Sequence, residues 1–246
     1  MERFRLHGEH LAADPISIAV TTYGTQSLYT HECLSAIRGW KTDRHELLVA
    51  CHDASPLLEH YLRACVKDGL IDRLIETPSG YGHTKGVNRC FADARGRWLF
   101  NIANDIAIGP AMVDECARRL ADPQLGLIGW HWYNDGTFWD GDRITRYQVR
   151  DEARPRLDPQ DEQNIRRAPW FTGRTFVGLG APLWLCLCNT AFFGIRREVW
   201  ESVGGFSPVY EHYWADDFLN YAVLDRGLDV AAFPEVFRQD PYFREI

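Results

Sequence analysis

The chain has 246 residues, of which 46% are hydrophobic and 25% charged, and its formal net charge is −7. A chain of this size can bury a full core without disulfides or a structural metal. An extended nucleic-acid interface is excluded, because it needs a basic patch and no run of Lys and Arg reaches four residues. A site for a single nucleotide is not excluded.

Strand and helix patterns alternate over the first half of the chain. Apolar runs rich in β-branched residues predict strands, and segments of helical period lie between them. The predicted strands are 16–22, 46–51, 71–75, 98–103 and 125–129, and the predicted helices are 28–40, 56–66, 84–94 and 110–120. This alternation predicts an α/β fold with a mostly parallel sheet and helices on both faces.

The second half begins with an irregular region. Residues 130–184 are rich in Trp, Tyr, Asp, Arg and Gly and have little periodicity, which predicts an insertion of short strands and loops. Regular patterns then return. They predict a strand ending at 195, helices over 196–203 and 215–226, and a strand over 229–233.

Seven cysteines are scattered along the chain, and their odd number predicts buried thiols in a reducing compartment. Cys186 and Cys188 are closely spaced, but they lack the second pair that a zinc site requires. The first residues lack the apolar core of a signal peptide, and no apolar run approaches the roughly 20 residues of a spanning helix. We therefore expect a cytoplasmic protein, with peripheral contact at the inner face of the membrane left open.

Polar residues follow three of the predicted strands, at the point where each strand ends. They are Thr22-Tyr23, His52-Asp53 and Asn104-Asp105. Ligands of α/β sheets collect at the carboxyl ends of strands. The sequence therefore predicts a binding site at this edge of the sheet.

Two of the candidate site features have a purely structural alternative. Asp105 could hold Mg²⁺ or Mn²⁺ together with substrate phosphates, although the local pattern taken alone favours a turn cap. Lys85 and Asn88 share a predicted helix after a Gly-rich turn, where they could contact a diphosphate, or Lys85 could simply be solvated.

Asp216 and Asp217 are expected at the start of a helix that follows an aromatic stretch. A helix N-terminus stabilises carboxylates, so one Asp could cap the helix while the other acts as a general base. The chain has no Gly-x-Ser-x-Gly, Gly-x-Gly-x-x-Gly or Walker pattern, which counts against serine hydrolases, Rossmann dehydrogenases and P-loop enzymes.

Several short motifs follow one another in a definite order over about two thirds of the chain. They are Thr21-Thr22-Tyr23-Gly24, His52-Asp53-Ala54-Ser55, Lys85-Gly86-Val87-Asn88, Ala94-Arg95-Gly96, Ala103-Asn104-Asp105, and a segment from Asn189 to Gly204-Gly205-Phe206. Asp216 follows ten residues after Phe206 and eleven before Gly227. This order and spacing resemble the family 2 inverting glycosyltransferases.

The resemblance implies the GT-A fold, a Rossmann-like nucleotide-diphospho-sugar transferase with a mixed sheet and helices on both faces. It implies that Asp216, with Asp217 next in line, deprotonates an acceptor hydroxyl. It also implies that Asp105, beside Asn104, holds Mn²⁺ or Mg²⁺ at the diphosphate of a nucleotide-sugar. The nucleoside would lie among Thr22, Tyr23 and Asp53.

One domain over residues 1–246 is expected from this resemblance. Its nucleotide-binding half would span about 15–129, its insertion about 130–184 and its acceptor or catalytic half about 185–246. The acceptor would be a glycan, a glycolipid or a small metabolite, and the oligomeric state is left open.

Four features depart from the family pattern. Ala103 replaces the first acid of the Asp-x-Asp metal motif, which puts tight metal binding in doubt. His52 stands where an Asp commonly contacts uracil, which leaves the identity of the nucleobase open. Ala215 replaces the acid that usually precedes the catalytic Asp. The Gln-x-x-Arg-Trp motif of processive synthases is missing, which favours transfer of a single sugar.

Two alternatives remain at this stage. A nucleotidyltransferase would use a similar sheet, but Thr21 to Gly24 offers no cation for a triphosphate. A catalytically inactive carbohydrate-binding relative is suggested by the reduced metal motif and the Trp-rich insertion, whereas retention of Asp105 and Asp216 counts against it.

Overall fold

The computed structural model describes residues 14–129, 143–144, 188, 190–207, 215–232 and 244–245. In chain order its elements are β1 Ile16–Tyr23, α1 Ser27–Arg38, β2 His45–His52, α2 Pro56–Lys67, β3 Arg73–Glu76, α3 His83–Asp93, β4 Trp98–Ala103, β5 Ile106–Ala107, α4 Pro110–Leu120, β6 Leu125–Gly129, β7 Arg143–Ile144, β8 Phe192–Arg196, α5 Arg197–Val203, α6 Ala215–Asp225, β9 Asp229–Ala232 and β10 Arg244–Glu245.

The main sheet has the strand order β3-β2-β1-β4-β8-β6-β9-β7. Its first four strands are parallel, and β8 runs antiparallel to both of its neighbours, β4 and β6. β9 is parallel to β6, and β7 is antiparallel to β9. The reversed β8 makes the sheet mixed, which confirms the GT-A architecture and qualifies the mostly parallel sheet that alternation alone predicts.

The apolar residues of the sheet alternate between two cores, one on each face. The core on one face contains Ile16, Ile18 and Val20 of β1 together with α1, α2 and α4. The other contains Ala19 of β1 together with α3, α5 and α6. Successive strand residues point to opposite faces, so the central strands, covered on both sides, are mainly apolar along their length.

Most element boundaries agree with the sequence prediction. Ser55 caps α2, because its side chain accepts a hydrogen bond from the backbone N–H of Leu58 at 3.3 Å, and Pro56 opens the helix. The third strand begins at Arg73 rather than 71. Leu70 and Ile71 are buried in the preceding loop instead, where their N–H groups both bond the Cys65 carbonyl.

The sequence prediction misses one sheet entirely. β5 pairs antiparallel with β10, but each strand is only two residues long and therefore carries no readable period. Apart from β7, the predicted insertion at 130–184 lies outside the described residues, as do 185–187 and Phe233.

The six cysteines within the described part of the chain are buried and have free thiols, as predicted, while Cys186 lies outside it. None of the described helices is both long enough and apolar enough to cross a membrane.

Candidate functional site

A cavity of about 220 Å³ opens at the carboxyl ends of the central strands. It is lined by Thr21, Thr22, Tyr23, His52, His83 and Asn104. Five of these residues end β1, β2 or follow β4, because parallel pairing brings the ends of these strands to one edge of the sheet. The polar residues that end these strands in the sequence therefore do lie together.

Tyr23 and His52 form a stacked pair at the mouth of the cavity. The parallel register of β1 and β2 sets Tyr23 opposite His52, and their rings lie 5.3 Å apart with an interplanar angle of 9°. Tyr23 remains 48% exposed, so one side of the pair is open to a ligand. A flat, exposed aromatic surface of this kind can stack with a nucleobase.

Asp53 follows His52 in a left-handed backbone conformation, with φ of 52°. Its Oδ2 accepts a hydrogen bond from the Gly80 N–H at 2.9 Å and lies 3.1 Å from His52 Nδ1. Bonds from Gly80, Ser79 and His52 stabilise the carboxylate and lower the pKa of Asp53 to about 2. Asp53 therefore ties the turn after β2 to the loop before α3 and stays ionised at neutral pH.

Asn104 and Thr22 join a buried polar cluster at the start of α1. Asn104 Nδ2 donates to Gln26 Oε1 at 2.6 Å and lies within 3.4 Å of the Thr22 hydroxyl and 3.3 Å of the Thr30 hydroxyl. The two hydroxyls are 2.6 Å apart, and Thr30 donates onward to the Gln26 carbonyl. The cluster holds the first turn of α1 against the ends of β1 and β4, and so fixes the cavity wall.

Asp105 is exposed in the turn between β4 and β5. It is not among the described residues that line the cavity. Burial, and secondarily the nearby Asp105 carboxylate, raise the pKa of the Cys33 thiol, whose sulfur donates to the Ala103 carbonyl at 3.6 Å. In the part of the chain that the structure describes, no group of three or more His, Cys, Asp or Glu could hold a metal by itself. One carboxylate fits Mg²⁺ or Mn²⁺ that arrives with nucleotide phosphates and keeps several waters.

His83, the first residue of α3, lines the cavity and is not among the predicted site residues. Its Nδ1 is hydrogen-bonded to the Thr21 hydroxyl. One turn later, a Cβ on Gly86 would lie 2.9 Å from Thr21 Cγ2, so α3 packs directly on β1 at this glycine. The Gly80-Tyr81-Gly82 turn before α3 was the available signal, because glycines permit close approach of the backbone. The neighbouring Lys85 is half-buried on α3 and does not line the cavity.

Asn88 does not line the cavity either, and its amide group contacts the protein backbone. Nδ2 donates to the Phe206 carbonyl at 2.8 Å, and the Phe206 N–H donates to Oδ1 at 2.9 Å. These bonds connect α3 with the Gly-Gly-Phe turn after α5.

Asp216 is half-buried in the first turn of α6, and Asp217 follows it; the side chain of Asp217 lies outside the described part of the chain. Asn220 Nδ2 donates to the Asp216 carbonyl at 2.6 Å and to the Cys188 carbonyl at 2.9 Å. The Cys188 N–H donates back to Asn220 Oδ1 at 3.0 Å. Burial, Cys116 and then Asp216 raise the pKa of the Cys188 thiol, so Asp216 lies close to this segment.

The chain matches a known protein family over most of its length. The family described as Glycosyl transferase family 2 matches residues 17–201, about three quarters of the chain. A comparison with curated proteins gave no match.

Solved structures with a similar fold include three proteins bound to nucleotides or nucleotide-sugars. Mannosyltransferase PcManGT from Pyrobaculum calidifontis, in complex with GDP-Man and Mn²⁺, is 16% identical with a TM-score of 0.58, and the match covers 95% of this chain and 62% of that one. Glucosyl-3-phosphoglycerate synthase from Mycobacterium tuberculosis, with Mn²⁺, UDP and phosphoglyceric acid, is 17% identical with a TM-score of 0.57 and coverage of 92% and 71%. S. aureus TarS 1-349 with UDP-GlcNAc is 13% identical with a TM-score of 0.56 and coverage of 90% and 56%.

At these identities the likeness shows the GT-A fold. The chain spans less than two thirds of the length of PcManGT and of TarS 1-349.

Proposed function

Because the chain belongs to glycosyl transferase family 2, we propose that it moves one sugar from a nucleotide-diphosphate donor to an acceptor hydroxyl. The observation that carries the proposal is the cavity at the ends of β1, β2 and β4, with its exposed Tyr23–His52 stack. The donor class is supported by the GDP-Man and UDP-GlcNAc complexes of proteins with the same fold. The acceptor is a glycan, a glycolipid or a small metabolite.

The nucleoside of the donor would occupy the cavity. Its base would stack on Tyr23, while Thr22 and Asn104 keep the wall in place and Asp53 fixes the surrounding loop. Lys85, near the N-terminus of α3, would neutralise part of the diphosphate charge.

A divalent metal would be held by Asp105 and by the donor phosphates. Bound there, Mn²⁺ or Mg²⁺ would neutralise the charge that develops on the departing diphosphate. With one carboxylate available, we expect the free protein to bind the metal weakly and the nucleotide to bring it in.

Asp216 would act as the general base. Its carboxylate would take the proton of the acceptor hydroxyl as that oxygen attacks the anomeric carbon. The bond between this carbon and the diphosphate oxygen would break on the opposite face, which releases the nucleoside diphosphate with inversion. Asp217 is the alternative base.

Asp216→Asn tests this assignment, because an amide keeps the shape of the side chain but cannot accept the proton. We expect turnover to fall by about 100-fold or more, in line with the contribution of a general base, while the Kd for UDP or GDP with Mn²⁺ stays within about twofold. Release of nucleoside diphosphate from UDP-glucose, UDP-GlcNAc or GDP-mannose, with a panel of p-nitrophenyl glycosides as acceptors, measures turnover.

Asp225→Asn, at the exposed end of the same helix, is the matched control and should leave turnover unchanged. Full turnover in Asp216→Asn would move the role of base to Asp217. Nucleotide binding by the wild-type protein without any turnover would instead favour an inactive carbohydrate-binding relative.

A further inference from the structure

Asn88 links two parts of the chain that are 118 residues apart. Its amide nitrogen and oxygen bond the carbonyl and the N–H of a single residue, Phe206, at 2.8 and 2.9 Å. A side-chain amide offers a donor and an acceptor in one plane, so it can pair with a backbone as a neighbouring strand would. Neither Asp nor Ala can make both bonds.

The Gly204–Phe206 turn, which Asn88 contacts, has a backbone that leaves room for the side-chain amide. Gly204 and Gly205 both have positive φ, at 81° and 71°, which lets the chain reverse immediately after α5. A Cβ on Gly205 would lie 2.8 Å from Asn88 Oδ1 and 2.9 Å from Trp200 Cζ2, so only glycine leaves room for the amide. The Phe206 ring is 1% exposed and packs edge-on against Trp200 with centroids 5.4 Å apart. The turn is therefore fixed on both sides.

The N-terminus of α3 is fixed to the donor cavity. His83 lines the cavity and bonds Thr21, and Gly86 places the helix in contact with the same threonine. One helix thus contacts the cavity wall at its first residue and the Gly204–Phe206 turn one and a half turns later. Phe206 belongs to the same buried core as Ala215 and Phe218 of α6, the helix that carries Asp216.

We propose that Asn88 is a positioning residue, which sets the acceptor half of the chain, and Asp216 with it, at the distance from the donor that transfer requires. The inference rests on the proposed function. It differs from a diphosphate contact by Asn88, because both hydrogen bonds that the structure gives its amide are made to Phe206.

Asn88→Ala and Asn88→Gln separate these two roles in the full chain. A positioning role predicts that Asn88→Ala lowers kcat by about 10- to 100-fold, the effect of a small misplacement of reacting groups. The Kd for UDP or GDP with Mn²⁺, measured by calorimetry, should stay within about twofold. Asn88→Gln keeps the amide and should recover part of kcat. Arg89→Ala, next along α3 in an exposed pair with Asp93, is the control and should match the wild type.

The binding stoichiometry in the same titrations gives the folded fraction, so kcat is expressed per nucleotide-binding site. A tenfold or larger rise in the nucleotide Kd of Asn88→Ala, with kcat kept, would make Asn88 a diphosphate ligand and overturn the inference. An unchanged kcat would also overturn it. If Asn88→Ala does not fold, Asn88→Asp, which keeps the acceptor for the Phe206 N–H, takes its place with the same two criteria.

Failure of the proposed function itself has a different signature. The wild-type protein would then bind neither UDP nor GDP, or would bind them without releasing nucleoside diphosphate from any donor. The positioning role would fall with it.

Discussion

Glu46 is a nearly buried carboxylate at the edge of the sheet opposite the cavity. Its Oε2 accepts hydrogen bonds from the Ser17 hydroxyl at 2.6 Å and the Arg95 N–H at 2.7 Å, and its Oε1 accepts from Arg95 Nε at 2.8 Å. Burial acts to raise the pKa of Glu46, but the bonds from Ser17 and Arg95 outweigh it and hold this pKa below its ordinary value of 4.5. The ionised form therefore stabilises the turn between α3 and β4.

Glu46→Gln should lower the free energy of unfolding by about 1.5 to 3 kcal/mol at pH 7, because charge-assisted hydrogen bonds are lost from a buried site. The folded pKa is depressed, so the advantage of the wild type is complete above pH 4.5 and disappears as the pH falls through the lower folded value. Urea unfolding in steps from pH 7 downward measures both effects. The exposed Glu59→Gln is the control and should change stability by less than about 0.5 kcal/mol. An equal difference at every pH would contradict the role of the charge.

At the scale of one element, α3 gives the clearest relation between sequence and site. It carries His83 at the cavity, Gly86 against β1 and Asn88 at the distant turn. Gly86 is a poor helix former, so its presence in the interior of a helix needs a packing reason. The reason is that a Cβ at this position would lie only 2.9 Å from Thr21 Cγ2, which is too close.

Gly86→Ala should therefore destabilise the protein and weaken nucleotide binding. Alanine contributes about 1 kcal/mol of helix propensity, but overpacking costs about 1 to 3 kcal/mol, and a rotation of Thr21 away from the new methyl group would break its hydrogen bond to His83. The helix must shift, and it would displace His83 from the cavity wall. Thermal unfolding and calorimetry with UDP or GDP check the two effects, with Arg89→Ala as the reference for alanine on this helix. A more stable variant with unchanged Kd would show that the contact relaxes without consequence.

Much of the fold could be predicted from the sequence. The strands β4 and β6 and the helix α4 lie where the hydrophobic period and the flanking Gly and Pro residues predict them, because each element carries a continuous local pattern. The site residues at the strand ends could be predicted to share one edge, since parallel pairing requires it. The contacts of Asn88 could not be predicted, because its partner Phe206 is 118 residues away and local sequence patterns do not indicate contacts between such distant residues. The stack of Tyr23 on His52 depends on the register of two strands, which the sequence does not state.

At the scale of the whole molecule, both halves share one sheet through the pairing of β4 with β8. A ligand bound at the ends of β1, β2 and β4 should therefore stabilise the second half of the chain as well. Binding only to the folded state raises stability in proportion to the logarithm of ligand concentration over Kd.

UDP or GDP with Mn²⁺, at about 100 times Kd, should raise the Tm by about 5 to 10 °C, from roughly 2.7 kcal/mol of stabilisation in a chain of this size. Mn²⁺ alone should have little effect, because Asp105 is the single carboxylate proposed to hold it. Asp105→Asn should remove the part of the shift that depends on Mn²⁺, whereas Asp68→Asn, at an exposed acid that ends α2, should not. A shift that does not depend on Mn²⁺ in the wild type would remove the metal from the proposal.

The antiparallel strand β8 also has a consequence for the order of folding. β4 meets β1 at a separation of 82 residues, from Ile16 to Trp98, and meets β8 at a separation of 98 residues, from Trp98 to Arg196. Both loops are long, but β1 to β4 are synthesised well before β8, so β8 is expected to join the sheet late. Until then β4 is an open edge strand with unpaired backbone groups, which other chains can occupy. The central strand of the finished sheet is therefore, during synthesis, the place where the protein is most exposed to aggregation.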